Sequence, residues 1–269
     1  MSIPLLHFPF VVQESIFKAM NYCEVKGKWQ DTTYTYCTIR VPQIDAALTK
    51  ALYEQVKSLY QYTEPCALEV YIESITEEVP QYENVNTIEV LGESSQLEDL
   101  ETFLSQYPKV DTLWIRPSVH GELSSSSKIL EIEKVHLTNS RQFGASLLPE
   151  FNGRTLDLFD SVFTEAELNL FIRKWMKNEV CHNLESAFIS FARECVLNTN
   201  LVIDQLKTEA FDPAKQQEWH QFMYMSKNVI SLPVDFSEYE RHDVVREIDK
   251  KRATILANDE GFFEFLVWN

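Results

Sequence analysis

The amino-acid sequence predicts an α/β fold with a mostly parallel sheet and a C-terminal antiparallel β-meander. Two observations predict it. A short apolar pattern recurs through the middle of the chain with helical patterns between its copies, which is typical of stacked strand-and-helix repeats. Near the C-terminus, three alternating segments are separated by turn residues, as expected of adjacent antiparallel strands.

The clearest repeat unit is Gly153–Met176. Leu156 and Leu158 alternate with polar residues, the period of two of a half-buried strand. Thr164 and Glu167 then have the spacing of a capping box, which predicts the start of a helix. The apolar face of that helix recurs at helical spacing. It consists of Leu168, Phe171, Ile172, Trp175 and Met176.

The repeated pattern has three apolar positions. Two residues of any type separate the first position from the second, and one residue of any type separates the second from the third. Its middle positions are 20 to 31 residues apart, a period that resembles leucine-rich repeats, although the regular Asn positions of those repeats are absent. Strands at this spacing, joined by helices at 97–107 and 141–151, predict right-handed crossovers and parallel neighbours. The copies are Val85–Ile88–Val90, Val110–Leu113–Ile115, Ile132–Val135–Leu137, Gly153–Leu156–Leu158 and Leu184–Ala187–Ile189. Leu68, Val70 and Ile72 form a looser first copy, in which Leu68 is counted as the middle position.

Further elements are predicted towards both ends of the chain. Apolar residues spaced as on a helix follow Pro9 and end at Met20. A strand rich in β-branched and aromatic residues is predicted at 32–41. Helices are predicted at 46–60 and at 216–225. The meander is predicted at Val244–Ile248, Ala253–Ala257 and Phe262–Val267.

Composition narrows the classes of function. The formal net charge of −17 opposes non-specific binding to nucleic acid. No apolar run is long enough to cross a bilayer, and the apolar N-terminus lacks the basic region of a signal peptide. Five widely spaced cysteines form no disulfide framework, so we expect free thiols and a cytoplasmic or nuclear protein.

No constellation of catalytic or metal-binding residues stands out. Cys181–His182 lacks an orienting partner or further ligands, and we interpret it as a loop pair. The carboxylates at 157, 160, 165 and 167 are explained by helix capping and solvation rather than by acid–base chemistry. Phosphate-binding and nucleophile-elbow motifs are absent. We therefore predict no enzymatic activity, no cofactor and no metal, and interpret Trp114, Trp175 and Trp268 as core residues.

Three stretches resemble nematode F-box proteins with a type 2 F-box-associated domain. The N-terminal IPLLHFPFVVQESIFKAM is similar to the opening of their F-box, and LDLFDSVFTEAELNLFIRKWM to their central signature. The C-terminal VREIDKKRATILANDEGFFEFLVW is similar to their closing strands. The resemblance implies a partial F-box at 1–22, a connector of strand and helix at 23–62, and an F-box-associated, substrate-binding domain at 63–269.

The family implies a substrate-recognition subunit of an SCF-type (cullin–RING) ubiquitin ligase. Its expected partners are a Skp-family adaptor with a cullin and a target protein, but neither nucleic acid nor a membrane. The resemblance places adaptor docking on five residues, Leu6, Pro9, Val12, Ile16 and Phe17.

One departure from the family opens an alternative. An F-box has three helices, whereas here residues 21–28 lead directly into the strand-like segment at 32–41. The second and third helices are missing from the sequence. The alternative is a protein-binding module that has lost its coupling to the ligase.

Overall fold

The computed structural model describes residues 66–72, 84–210, 241–258 and 261–268, with Glu54, Ile75 and Tyr82 as single positions. The chain divides into two compact units, residues 1–63 with 78–82, and residues 64–77 with 83–269. The predicted helix at the N-terminus, the strand at 32–41 and the helix at 216–225 lie outside the described residues. Of the predicted helix at 46–60, only Glu54 is described, and it is helical.

Up to residue 191, helices and 3-10 turns are interspersed among the described strands of the second unit. The helices are α1 (Leu97–Leu104), α2 (Arg141–Leu147), α3 (Glu165–Met176) and α4 (Thr199–Val202), with 3-10 turns at Lys128–Glu131 and Leu148–Glu150. The strands are β1 (Cys66–Tyr71), β2 (Val85–Leu91), β3 (Ser94–Gln96), β4 (Thr112–Ile115), β5 (Ser118–His120), β6 (Lys134–Leu137), β7 (Thr155–Ser161), β8 (Ser186–Phe191), β9 (Glu209–Ala210), β10 (Arg241–Val245), β11 (Arg252–Asn258) and β12 (Phe262–Trp268).

Ten of the described strands form one sheet in the order β1-β2-β4-β6-β7-β8-β12-β11-β10-β9. Along this order, the neighbouring strands from β1 through β8 pair in parallel. The four remaining pairs, β8–β12, β12–β11, β11–β10 and β10–β9, are antiparallel. The predicted mixed α/β architecture, with a large mostly parallel sheet and antiparallel C-terminal strands, is therefore confirmed. Strands β3 and β5 form a separate parallel pair that the sequence did not predict.

The middle residues of the sequence repeat lie side by side on adjacent strands. Ile88 pairs with Leu113, and Leu113 pairs with Val135. The row continues through Leu156 to Ala187, and all five side chains are buried. The likeness to leucine-rich repeats in particular stays a prediction, since strand pairing alone does not test it.

The sheet has two chemically different faces. Because β1 to β8 advance in one direction across the sheet, right-handed crossovers bring their connecting helices to the same side. On that side, which we call the helix face, a Cβ added to Gly144 of α2 would lie 3.2 Å from the Leu158 side chain. The Phe171 and Trp175 rings of α3 lie 5.2 Å and 5.0 Å from the Phe265 ring. We call the opposite side the polar face.

Helix α3 begins at the predicted capping box. The Thr164 hydroxyl accepts a hydrogen bond from the Glu167 amide at 3.3 Å, and the Glu167 carboxylate accepts one from the Thr164 amide at 2.7 Å. These two bonds satisfy amides that the first helical turn leaves free. The buried face of Phe171, Ile172 and Trp175 contributes about 5–8 kcal/mol by apolar area, as an upper bound.

The meander is confirmed, but its first strand lies earlier than predicted. Strand β10 ends at Val245 because Arg246 turns inward instead of continuing the alternation to Ile248. The Arg246 guanidinium carbon lies 5.1 Å from the Trp175 ring centroid, and its nitrogens donate to both oxygens of Asp249 at 2.9 Å and 2.5 Å. The Arg246 hydrogen bonds lower the pKa of Asp249 to about 2. Arg246 thus connects the meander to α3.

Gly153 occupies the repeat position where the other copies carry a larger apolar residue. A Cβ at this position would lie 2.2 Å from the Ile132 carbonyl oxygen and 2.3 Å from the Phe151 ring. The Phe151 side chain is fully buried, and the carbonyl belongs to the backbone, so neither can move away at low cost. Only glycine fits between them.

The first prediction concerns Gly153→Ala. The added methyl group should lower the free energy of unfolding by about 2–4 kcal/mol, because it overpacks a fully occupied position. The measurement is urea denaturation followed by circular dichroism. The control is Asn152→Ala, which truncates the exposed neighbouring side chain and should change stability by less than about 0.5 kcal/mol. Equal stability of the Gly153→Ala protein and the wild type would contradict this packing.

Candidate partner-binding surface

One row of side chains crosses the polar face at the level of the sheet's centre. Strand pairing aligns Glu89 with Trp114, Trp114 with His136 and His136 with Asp157. The row continues to Phe188 of β8 and then to Glu264 of β12. We call these residues the central row: Glu89, Trp114, His136, Asp157, Phe188 and Glu264. They lie opposite the helix face because successive side chains of a strand alternate between the two faces.

Aromatic rings form a ladder along this row. The Trp114 and His136 ring centroids are 3.9 Å apart, and those of His136 and Phe159 are 4.8 Å apart. The ladder continues from Phe159 to Phe188 at 5.3 Å and from Phe188 to Phe262 at 6.3 Å. All five rings are half-buried. Trp114 therefore contributes to a surface, and its interpretation as a core residue was wrong.

Two carboxylates of the central row have partners on the polar face. Glu89 accepts a hydrogen bond from Nε of Arg116 at 2.7 Å, and Nη2 of Arg116 forms an ion pair with the same carboxylate oxygen at 2.6 Å. Asp157, which is 9% exposed, lies with its Oδ2 atom 3.3 Å from Nδ1 of His136. The row thus combines flat aromatic rings with carboxylates held at low exposure.

Glu264 differs from the other two acidic residues. It is only 3% exposed, and its Oε2 atom is buried without a hydrogen-bond partner. Burial, and to a lesser extent the negative charge of Asp157, raises the pKa of the Glu264 carboxyl to about 7. A buried carboxylate without a partner is costly, so the group holds its proton up to neutral pH.

The Cys181–His182 pair does not form a reactive site. Cys181 is buried and its thiol donates to the Leu148 carbonyl at 3.1 Å, while burial raises its pKa to about 12. His182 Nδ1 lies 3.2 Å from the Asn178 side-chain oxygen instead. A thiol with so high a pKa is a poor nucleophile at neutral pH.

The acidic residues around the start of α3 have structural partners. Asp160 pairs with Arg141 at 3.2 Å, and Glu165 accepts a hydrogen bond from the Asn198 amide at 3.1 Å. Within the described ranges, no group of three or more His, Cys, Asp or Glu residues could hold a metal ion. No helix in the described part of the chain is long and apolar enough to cross a membrane.

The residues predicted to dock on the adaptor lie outside the described ranges. Leu6, Pro9, Val12, Ile16 and Phe17 all precede residue 66, where the first described strand begins. Their role stays a prediction.

Comparison with known families gives one match, which covers part of the second unit. A family model described as F-box associated matches residues 119–189. The match supports an F-box-associated domain and extends from β5 to β8, so it includes His136, Asp157 and Phe188 of the central row. Comparisons with curated proteins and with solved structures return no match.

Sequence reasoning missed Glu264, although a signal was present. The final strand reads FFEFLVW, and a glutamate within an otherwise apolar strand is rarely buried without a specific reason. The period of two already separates Glu264 from Phe263 and Phe265, which face the helices. The sequence could not show that Asp157 lies two strands away.

The second prediction concerns the pH dependence of stability. The folded-state pKa of Glu264 is about 7 against an ordinary value of 4.5, so the native state binds the extra proton between these values. The free energy of unfolding should therefore fall as pH rises from about 5 to 8, and Glu264 should account for roughly 2–4 kcal/mol of that loss. Glu264→Gln, which cannot ionise, should be more stable than wild type at pH 8 and similar to it at pH 5.

Urea denaturation at pH 5, 6, 7 and 8 measures this difference. The matched control is Glu122→Gln, which removes the same charge from an exposed glutamate and should keep the wild-type dependence. If the wild type and the Glu264→Gln protein lose stability in parallel as pH rises, Glu264 does not ionise in the way described.

Proposed function

We propose that this chain is the substrate-recognition subunit of an SCF-type (cullin–RING) E3 ubiquitin ligase and that its F-box-associated domain binds the target protein. The observation that carries the proposal is the family match at residues 119–189. The three stretches that resemble nematode F-box proteins support it. In this assignment the protein captures a substrate and the ligase supplies the chemistry.

The polar face has the character of a surface that binds another protein. Its aromatic ladder offers large rigid side chains, which supply much of the binding energy of protein interfaces. The partly buried carboxylates of Glu89 and Asp157 add directional polar groups around the rings. A target that covered Trp114 and Phe159 would bury both rings at a modest cost in conformational entropy.

Docking to the ligase is assigned to the N-terminal residues. Leu6, Pro9, Val12, Ile16 and Phe17 would contact the Skp-family adaptor, which in turn binds the cullin. An apolar helical face of this kind suits a hydrophobic groove on a partner. We expect the assembly in the cytoplasm or nucleus.

A second candidate function is a protein-binding module without ligase coupling. It is favoured by the sequence between residues 21 and 41, where strand-like residues stand in place of the second and third F-box helices. In the sequence, the family match begins at residue 119 and does not include this region. Such a protein would bind the same target and protect it from ubiquitination.

The third prediction tests adaptor docking. The purified full chain should form a complex with a Skp-family adaptor bound to a cullin, and the double substitution Pro9→Ala with Ile16→Asp should weaken binding by at least about 30-fold. A charge in a desolvated apolar contact costs 2 kcal/mol or more, which sets this factor. Isothermal titration calorimetry measures the affinity.

The matched control is Lys18→Asp, which introduces an aspartate on the opposite side of the apolar face by helical spacing. It should retain binding. No binding of the wild-type chain at micromolar concentration would reject ligase coupling and leave the second candidate function.

A further inference from the structure

The outer side of α3 and the chain beside it carry apolar side chains that the core does not use. Leu170 lies on the side of α3 opposite the buried residues and is 53% exposed. Leu201 of α4 is also 53% exposed, and Val196, in the loop before α4, is 78% exposed. We call these three residues the outer apolar patch. Clustered apolar side chains left in water are typical of a surface that binds another protein.

Hydrogen bonds hold α4 against the side of α3. The Asn169 side chain donates to the Val202 carbonyl at 2.8 Å and to the Asp204 carbonyl at 3.0 Å. Asn169 directly precedes Leu170 in the chain, and Val202 directly follows Leu201. Both exposed leucines therefore border the junction of the two helices. Polar contacts fix the backbone at this junction while the leucine side chains stay in water.

Two positive charges border the patch. Lys174 and Lys177 follow Leu170 at i+4 and i+7, so the three residues lie on one stripe of the helix surface. Within the described residues, neither lysine side chain makes a hydrogen bond or an ion pair. Arg173, in contrast, donates to the Asp204 carbonyl at 2.8 Å. The two lysines are therefore free to pair with another molecule.

The carboxylates at the start of α3 are engaged within this chain. Glu165 accepts a hydrogen bond from the Asn198 amide at 3.1 Å. Glu167 accepts from the amide and the hydroxyl of Thr164 in the capping box, at 2.7 Å and 2.8 Å. The free charges beside the outer apolar patch are thus positive, although the formal net charge of the chain is −17.

We propose that the outer apolar patch and the two lysines bind a segment of the captured protein in which apolar side chains are followed by carboxylates. The proposal rests on the proposed function and names the chemistry of one contact that the target makes. Apolar side chains of that segment cover Leu170 and Leu201, and its carboxylates pair with Lys174 and Lys177. The contact lies on the helix side of the sheet, opposite the polar face.

Charge complementarity favours an acidic segment over a basic or a neutral one. Its carboxylates give the two lysines the opposite charges that this chain does not provide. The strongly negative remainder of the molecule repels such a segment and so confines it to this surface. Lysines at this end of α3 also suit the negative end of the helix dipole, which explains their sign but not the exposed leucines. The apolar contact supplies most of the affinity, and the ionic contact supplies specificity.

The experiment first selects peptides with the full chain. A phage-displayed library of random dodecapeptides is depleted on the double variant Leu170→Gln with Lys174→Gln and then passed over the wild-type protein. Glutamine is a good helix former, and both positions lie on the solvent side of α3, so the variant should keep the wild-type circular dichroism spectrum. The enriched peptides should share large apolar residues followed by Asp or Glu.

The most enriched peptide is then synthesised with a fluorophore, and its affinity is measured by fluorescence polarisation. Leu170→Gln should weaken binding roughly tenfold. Lys174→Gln with Lys177→Gln should weaken it by a similar factor at low salt and much less at high salt, because salt screens the ionic contribution. Two matched controls, Tyr71→Gln on β1 and Lys109→Gln before β4, remove an exposed apolar side chain and an exposed positive charge elsewhere. Both should leave the affinity unchanged.

Three results would overturn the proposal: no enrichment over the double variant, enriched peptides without acidic residues, or an affinity that Leu170→Gln does not change. Sedimentation velocity of the chain alone tests a second copy as the occupant. A dimer that Leu170→Gln dissociates would assign the patch to self-association and would also overturn the proposal.

These outcomes are separable from the proposed function because the measurements contain no ligase component. A chain that binds the adaptor but no acidic peptide keeps its ligase role and loses only this contact. A chain that binds the acidic peptide but not the adaptor keeps the contact without ligase coupling.

Discussion

The antiparallel pairing of β12 with β8 is the contact on which the rest of the sheet depends. It places Phe265 beside Ala187, which extends the buried row of the repeat strands under Phe171 and Trp175 of α3. The same pairing places Glu264 beside Phe188 on the opposite face. A hydrogen bond from the Val267 amide to the Glu185 carbonyl, 2.8 Å long, continues the contact beyond the strand. The apolar core and the central row therefore both cross this one boundary.

The two faces of the sheet differ in the interactions that stabilise them. The helix face buries aliphatic and aromatic residues in register, so its stability comes from apolar area and close packing. The polar face holds carboxylates at low exposure, which costs free energy unless cations or donors compensate. Arg116 and Arg252 provide that compensation for Glu89 and Asp243, whereas the Glu264 carboxyl holds a proton instead.

Local patterns in the sequence predicted much of this fold. The alternation around Leu156 and the capping box at Thr164 depend on neighbouring residues, and the structure contains both as predicted. Contacts between distant residues were not predictable in the same way: Arg246 ended β10 early because Trp175, some seventy residues earlier, offers it a ring face. The placement of Trp114 was predictable, since it lies between the buried Leu113 and Ile115, but its apolar character suggested the core. The candidate site needed the β8–β12 register, which no local pattern contains.

Disulfide trapping across this boundary tests the account most directly. Ser190 and Phe262 are register partners, so S190C/F262C should form a cross-link in the folded protein on mild oxidation. The matched pair S190C/E264C is displaced by two residues along β12, which places its Cβ atoms too far apart, and it should cross-link much more slowly. Fast cross-linking of the first pair alone would confirm the register that joins the repeat strands to the meander. Equal rates for the two pairs, or no cross-link in either, would contradict it.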